Sequence, residues 1–418
     1  MATRRITIEQ LIPGMFIIEM DVPWYRTPFL SHKRLIKDQQ TIQLMKQHGI
    51  KMVTIDTGKG LDLPSEPSTN TQHPASQQAT TPDVPLLEQE AKRASEAKSE
   101  DHAATVIYAQ AREAVERIFD DLEQGLPPSP EATKAIVSNV LGQILSDRAA
   151  MSMQVAIHKI RQFDRSLTAH ALDTCILSLV VAIESGLDQP TQEQVGMGAL
   201  LHDAGYVRLP RNLVRRREEC GGQEKILLQQ HCTLGVALLS EHPGMPEAVL
   251  RIVKEHHERA DRSGFPAGLG NDQILRLAQI VGIVNYYDGM VSRCGARPAM
   301  IPHDAVRQLF LSGERGQFEK SLVELMIRSI GVYPVGSFVR LNTGEQAVVV
   351  GVNPQQRLKP LVKIMTDSQG GSYATPIKVD LAVPSPDHTV RTVLHVLDPA
   401  QERVNIGIYL DQSLSRAA

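Results

Sequence analysis

The sequence predicts a multidomain protein, an all-α central domain flanked by a small α+β N-terminal domain and a small β-rich C-terminal module. Apolar residues recur at three- and four-residue spacing through the middle of the chain, as in Ile107, Ala111, Val115, Ile118 and Leu122. After Tyr333-Pro334 the period falls to two. The chain has 418 residues, 42% of them hydrophobic, which exceeds one ordinary core and points to two or three domains.

In chain order, residues 1–60 read as the α+β domain. Ile6 to Ile8 and Met15 to Met20 are short β-prone runs around Pro13-Gly14, Lys37 to His48 carries helical spacing, and Met52 to Ile55 reads as a strand. Trp24, Tyr25 and Phe29 are expected to anchor this domain's core. Residues 61–102 are rich in Pro, Ser, Thr, Gln, Glu and Ala, too polar to offset their ordering entropy, and read as a flexible linker. Residues 103–330 form the helical domain. Its runs are Ala103 to Gly125, Ala132 to Leu145, Leu172 to Glu184, Gln194 to His202, Thr233 to Leu239, Pro246 to His256 and Asp272 to Tyr287. In the module at 331–418, strands are expected at Ser337 to Leu341, Gln346 to Val352, Pro360 to Met365 and Ile377 to Asp380.

The net charge of -3 argues against a partner that is a nucleic-acid polymer. Met1 to Glu9 lacks the apolar region of a secretory signal, and the apolar run Ile176 to Ile183 is far short of a bilayer span, so no membrane association is expected. Cys175, Cys220, Cys232 and Cys294 show no Cys-x-x-Cys spacing. These readings place the protein in the reducing cytoplasm.

The chemistry concentrates in a few positions. His202-Asp203 ends an apolar helix, and His256-His257-Glu258 runs directly into Asp261 to Pro266. Neutral imidazoles with a carboxylate suit iron, manganese or zinc rather than magnesium, so a metallohydrolase is the first hypothesis. His170 and His231, each on a helical run, would read alone as ordinary histidines. Arg211 to Glu219 reads as a solvated helix face.

Together these residues resemble the HD-GYP family of bacterial phosphodiesterases, a branch of the HD phosphohydrolases. The hallmark His-Asp-x-Gly-Lys-x-x-x-Pro appears as His202-Asp203-Ala204-Gly205-Tyr206-Val207-Arg208-Leu209-Pro210. The second hallmark, His-His-Glu-x-x-Asp-Gly-x-Gly-Tyr-Pro, appears as His256-His257-Glu258-Arg259-Ala260-Asp261-Arg262-Ser263-Gly264-Phe265-Pro266. The core resemblance covers about residues 150–330. Ile6 to Met15 with Asp21 to Trp24 looks like the domain that often precedes HD-GYP, and Tyr333 to Ser337 like the segment that often follows it.

The resemblance implies an HD-type catalytic domain holding two divalent ions, iron or manganese. The implied ligands are His170, His202, Asp203, His231, His256, His257 and, at the last ligand position, Asn285. Asp203 would bridge the ions, and with His202 it forms the catalytic pair. A hydroxide held between the ions would attack phosphorus in line while both ions offset the developing charge. Tyr206, Arg259, Asp261, Gly264, Phe265 and Pro266 would face the substrate, cyclic di-GMP, which the family opens to pGpG and sometimes cuts on to GMP.

Several positions depart from the pattern. Asn285 stands where the family has an aspartate, leaving Asp203 as the one protein carboxylate for two ions. Asp288, three residues on and about 60° around a helix, is assigned a structural role. Ser166 replaces the third-metal glutamate of some members, Tyr206 the phosphate-contacting lysine, Arg262 a glycine, and Phe265 a tyrosine. Arg297-Pro298-Ala299-Met300 differs from the usual Arg-Pro-Tyr-Arg. The leading reading is a cyclic di-GMP phosphodiesterase. The alternatives are a weak or inactive member that senses the nucleotide or docks onto diguanylate cyclase domains, and an HD hydrolase of another nucleotide phosphoester. The resemblance leaves room for an oligomer.

Overall fold

The computed structural model describes residues 3–20, 34–36, 38–47, 50–61, 85–161, 166–217, 219–292, 298–353, 355–384 and 389–410. Trp24, Tyr25, Phe29, Cys294 and Arg297 lie outside these residues. Two compact units divide the chain, Met1–Ala94 and Ser95–Ala418.

In the first unit, strands β1 (Thr3–Thr7), β2 (Phe16–Met20) and β3 (Arg34–Leu35), helix α1 (Gln39–Gln47) and strand β4 (Met52–Asp56) give the expected α+β layering. The sheet runs β1-β4-β2-β3, and all its pairings are antiparallel. Met15, Ile17, Ile36, Ile42, Met45 and Ile55 fill its core. Ile8, expected in a strand, opens a 3-10 turn instead. The Gln10 side chain accepts the Thr7 amide at 3.1 Å and draws the backbone out of the ladder.

Helix α2 (Pro85–Glu123) starts well before Ala103, inside the stretch expected to be linker. Glu, Lys, Arg and Ala dominate positions 88–100. Such residues have high helix propensity even where little apolar surface is available to bury. Positions 62–84 of the expected linker lie outside the described residues.

The helical domain continues with α3 (Pro130–Ser146), α4 (Arg148–Arg161), α5 (Leu167–Glu184), α6 (Gln189–Leu201), a 3-10 turn (Ala204–Arg208), α7 (Arg211–Arg215), α8 (Gly222–Gln229), α9 (His231–Leu239), α10 (Glu247–Glu255), α11 (Arg276–Val291), α12 (Pro302–Glu314) and α13 (Lys320–Ile330). Caps explain the starts. Ser129 accepts the Ala132 amide at 3.3 Å, Ser166 that of Ala169 at 3.2 Å, and Asp188 that of Thr191 at 3.2 Å. Helix α5 is buried from Ala169 to Ala182 and forms the centre of the domain. By length and composition it could cross a membrane, yet 78% of it is buried inside the protein. In α7, expected as a solvated face, Leu213 and Val214 are buried.

The C-terminal module pairs β5 (Phe338–Leu341), β6 (Gln346–Gly351), β7 (Leu361–Thr366), β8 (Ser372–Asp380) and β9 (Val393–Leu397) antiparallel in the order β8-β7-β6-β5-β9. Strand β9 and the short helix α14 (Gly407–Leu410) were not legible as elements. Phe338, Val348, Met365, Ile406 and Leu410 form a core against which Met153 and Ile157 of α4 pack. The module is thereby seated on the helical domain.

Candidate metal centre

Helix ends deliver the histidines. His202 is the C-cap of α6, His256 the C-cap of α10, and His231 the first residue of α9, just past the end of α8. The last carbonyls of a helix have no partner within it. Each of these imidazoles supplies one: Nδ1 of His202 bonds Ala199 O at 2.7 Å, His231 bonds Leu228 O at 2.7 Å, and His256 bonds Val253 O at 2.9 Å. A carbonyl only accepts, so Nδ1 carries the hydrogen and Nε2 presents a lone pair. His170, in the first turn of α5, has no such carbonyl. Its Nδ1 instead meets Asp288 Oδ2 of α11 at 2.7 Å, with the same result for the tautomer.

The four Nε2 atoms converge on Asp203, and its two oxygens divide them. Oδ2 lies 3.7 Å from His170 Nε2 and 3.4 Å from His202 Nε2. Oδ1 lies 3.5 Å from His231 Nε2 and 3.8 Å from His256 Nε2. Within each half the nitrogens are 3.1 Å apart (His170 and His202) and 3.3 Å apart (His231 and His256). Donors bound at about 2.1 Å to one ion stand roughly 3.0–3.4 Å apart, so the halves have metal-site dimensions. Two donor groups share Asp203: His170, His202 and Asp203, and Asp203, His231, His256 and His257. The donor chemistry fits a pair of divalent ions. Asn285 is buried on α11, one turn before Asp288.

The electrostatics favour the ligand state. Burial is the main force holding His256 and His257 well below the ordinary histidine range, reinforced by neighbouring imidazoles, and it lowers His231 too. For Asp203 burial pushes upward, but His202, His231 and His170 overcome it and hold the carboxyl well below its usual value. Neutral imidazoles around an ionised carboxylate are what a cation requires.

Backbone proximity fixes the relative positions. A Cβ on Gly205 would lie 1.9 Å from His231 O, so the turn after Asp203 packs directly on the α9 backbone. A Cβ on Gly264 would lie 2.4 Å from Arg259 N and 2.5 Å from Glu258 Cα. This glycine folds the 258–266 loop onto itself. Glu258 is buried and clamps the loop: Oε1 accepts the Ala267 amide at 2.7 Å and Oε2 that of Leu269 at 2.9 Å.

The residues expected to face substrate spread out. Tyr206 stacks on His231, with centroids 4.2 Å apart and planes 15° apart, and Phe265 stacks on His257 at 4.5 Å. The Phe265-Pro266 bond is cis. Asp261 closes a local turn, accepting from Ser263 N at 3.0 Å and Ser263 Oγ at 2.6 Å. Arg259 donates to Glu258 O at 2.9 Å, and its guanidinium lies 4.6 Å from the Phe318 ring centroid. Burial lowers this guanidinium to about 10. Arg262, in the family's glycine position, adopts φ 66°. Ser166, in the third-metal position, is the N-cap of α5.

Sequence reasoning missed what lies behind His170. Lys159 of α4 bonds Asp288, Asp173 Oδ2 at 3.1 Å and Ser292 Oγ at 3.1 Å. Asp173 also accepts Tyr108 OH of α2 at 2.8 Å and meets His158 Nδ1 at 3.0 Å. The visible signal was a carboxylate three residues beyond His170 on an otherwise apolar helix, a position where burial demands a partner. Cys232, another unflagged residue, places Sγ 3.5 Å from His231 Nε2.

Comparison with known proteins agrees with this architecture. Residues 3–133 match a domain of unknown function (DUF3391), 139–322 an HD domain, and 338–390 a KOW domain associated with the HD domain. A cyclic di-GMP phosphodiesterase of Pseudomonas aeruginosa is 27% identical over 86% of this chain and 84% of its own length. One of Borreliella burgdorferi is 21% identical over 46% of this chain and 50% of its own. The cyclic di-GMP phosphodiesterase response regulator of Xanthomonas campestris is 28% identical over 36% of this chain and 39% of its own. The HD-domain match spans the helices that carry every histidine of the centre, so the helical domain is similar to HD domains.

Proposed function

We propose that this protein is a metal-dependent phosphodiesterase that hydrolyses cyclic di-GMP to pGpG in the cytoplasm. The observation that carries the reading is the division of Asp203, Oδ2 facing His170 and His202 and Oδ1 facing His231 and His256. The names of the relatives supply the substrate. His170, His202 and Asp203 would hold one ion and Asp203, His231, His256 and His257 the other, with Asn285 completing the first set. When bound, two such ions supply Lewis acidity toward a phosphodiester and lower the pKa of water. Iron suits the imidazoles of this donor set, and manganese would rely on the Asp203 carboxylate and bound water.

The chain's own groups do the positioning. The Nδ1 hydrogen bonds fix the tautomer and direction of His170, His202, His231 and His256 before any ion arrives, which removes reorganisation from the reaction. Tyr206 and Phe265, stacked on His231 and His257, wall the second half and present ring edges to a nucleotide base. Tyr206 offers a phenolic donor to phosphate where the family has a lysine.

Asn285 supports a second reading, a weak or inactive member that binds the nucleotide without cutting it. Anaerobic purification, metal analysis and a turnover assay with iron or manganese separate the two. Two ions per chain with pGpG formation are expected. Nucleotide binding without product, at less than one ion per chain, would replace the enzyme by the sensor.

A further inference from the structure

Behind His170, side chains from three helices close a ring. His170 Nδ1 of α5 bonds Asp288 Oδ2 of α11, and Asp288 Oδ1 accepts from Lys159 of α4. Lys159 also donates at 3.1 Å to Asp173 Oδ2, which lies three residues beyond His170 on α5. The third lysine hydrogen goes to Ser292 Oγ at 3.1 Å. Asp173 is 2% exposed, accepts Tyr108 OH on its other oxygen at 2.8 Å, and meets His158 Nδ1 at 3.0 Å. Nothing in the proposed chemistry uses it.

A buried pair of carboxylate and ammonium loses hydration that its attraction often only just offsets, and apolar residues of similar volume are commonly as stable. What Asp173 alters is the electrostatics of Asp288. A cation resting wholly on Asp288 would draw electron density from the oxygen that holds His170 Nδ1–H, and so reduce the basicity which that bond lends to Nε2. With Asp173 on its other side, Lys159 is shared between two carboxylates. We propose that Asp173 is a positioning residue for the ion of the His170 half: it draws Lys159 off Asp288, which leaves Asp288 free to polarise His170 as a ligand. Burial and the neighbouring Asp173 hold the Tyr108 hydroxyl well above its usual range, so it remains a neutral donor in this arrangement.

The inference rests on the two-ion reading above, but its readout is ion affinity rather than turnover. Zinc is titrated into the metal-free full-length protein in competition with a coloured chelator, and the phase lost in His170→Ala marks the ion of that half. Asp173→Asn keeps the shape and removes the charge, so it should weaken that phase about tenfold and leave the other within about twofold. In an Asp288→Asn background the same change should cost less than about twofold further, because its route to His170 is gone. Tyr108→Phe removes a bond to Asp173 but no charge, disturbs the fold least, and should leave both phases within about twofold. The His170 Nδ1 proton resonance, assigned by its absence in His170→Ala, should move upfield in Asp173→Asn and stay in place in Tyr108→Phe. Parent-like affinity in Asp173→Asn, an equal loss in the Asp288→Asn background, or a comparable loss in Tyr108→Phe would overturn the assignment. A parent that holds two ions yet forms no pGpG sinks the phosphodiesterase and leaves Asp173 in its role, whereas a parent that holds no ion in the His170 half sinks both.

Discussion

Asp288 Oδ2 holds His170 Nδ1 at 2.7 Å, and its other oxygen bonds Lys159. Burial alone would discharge this lysine, but Asp173 and Asp288 outweigh it and raise its pKa, so it stays charged beneath the centre. Asp288 thus orients a ligand from behind. Asp288→Asn should lower metal affinity in the His170 half by about 10–100-fold, with the other half little affected. Metal stoichiometry measured against a graded chelator series checks this, the variant losing one ion earlier than the parent.

Asp203→Asn should be more severe, since both halves draw on its charge. Binding of both ions should fall, and turnover should drop by at least about 10³-fold. Steady-state kinetics at saturating manganese report the second loss, and elemental analysis the first.

Asn285→Asp adds a second carboxylate to a pair of divalent ions. Occupancy of the His170 half and turnover should both rise, by about tenfold or more if the amide is what limits binding. Ions per chain and turnover measured together test this, and occupancy that rises without any gain in turnover would sink the idea.

Acid should destabilise the metal-free protein through the buried imidazoles. His231, His256 and His257 have lowered folded-state values, so between those and the unfolded value of about 6.5 the unfolded chain binds more protons. Their contribution is full above about pH 6.5 and is lost as pH falls toward the folded values. Asp203, also lowered, extends the loss below about pH 4. Denaturant unfolding of the metal-free protein at stepped pH should show stability falling from pH 7 to pH 5.

Two loop positions should respond in opposite directions. Gly205→Ala forces a methyl into the α9 backbone and should cost about 3 kcal/mol or more while displacing His231. Arg262→Gly relieves a left-handed conformation that costs a side-chain-bearing residue roughly 1–2 kcal/mol, and part of that gain is returned as unfolded-chain entropy. Thermal melts of the two variants beside the parent distinguish the effects.

The helices and the histidine register were legible because both follow from local pattern: apolar spacing and fixed offsets such as His202-Asp203 and His256-His257. The early start of α2 was not, since a polar segment of good helix formers resembles a linker by composition. Strand β9 follows the long excursion after β8 and pairs with β5, a register that no local signal specifies. Asp288 reads from the sequence as structural, but its partnership with His170 spans 118 positions and needed the fold to appear. Asp173 and Lys159 are of the same kind. Each is an unremarkable polar residue until the packing of α4, α5 and α11 leaves it buried.

The three imidazoles tied to carbonyls of their own helix ends owe their aim to main chain alone, which no substitution elsewhere can rewrite without moving a helix. His170 is aimed by side chains, through Asp288 and Lys159 to Asp173 and Tyr108. Those three ligand positions are therefore fixed by architecture. His170 is adjustable by point mutation, so drift in activity among related chains should accumulate in the residues behind it while His202, His231 and His256 stay in place.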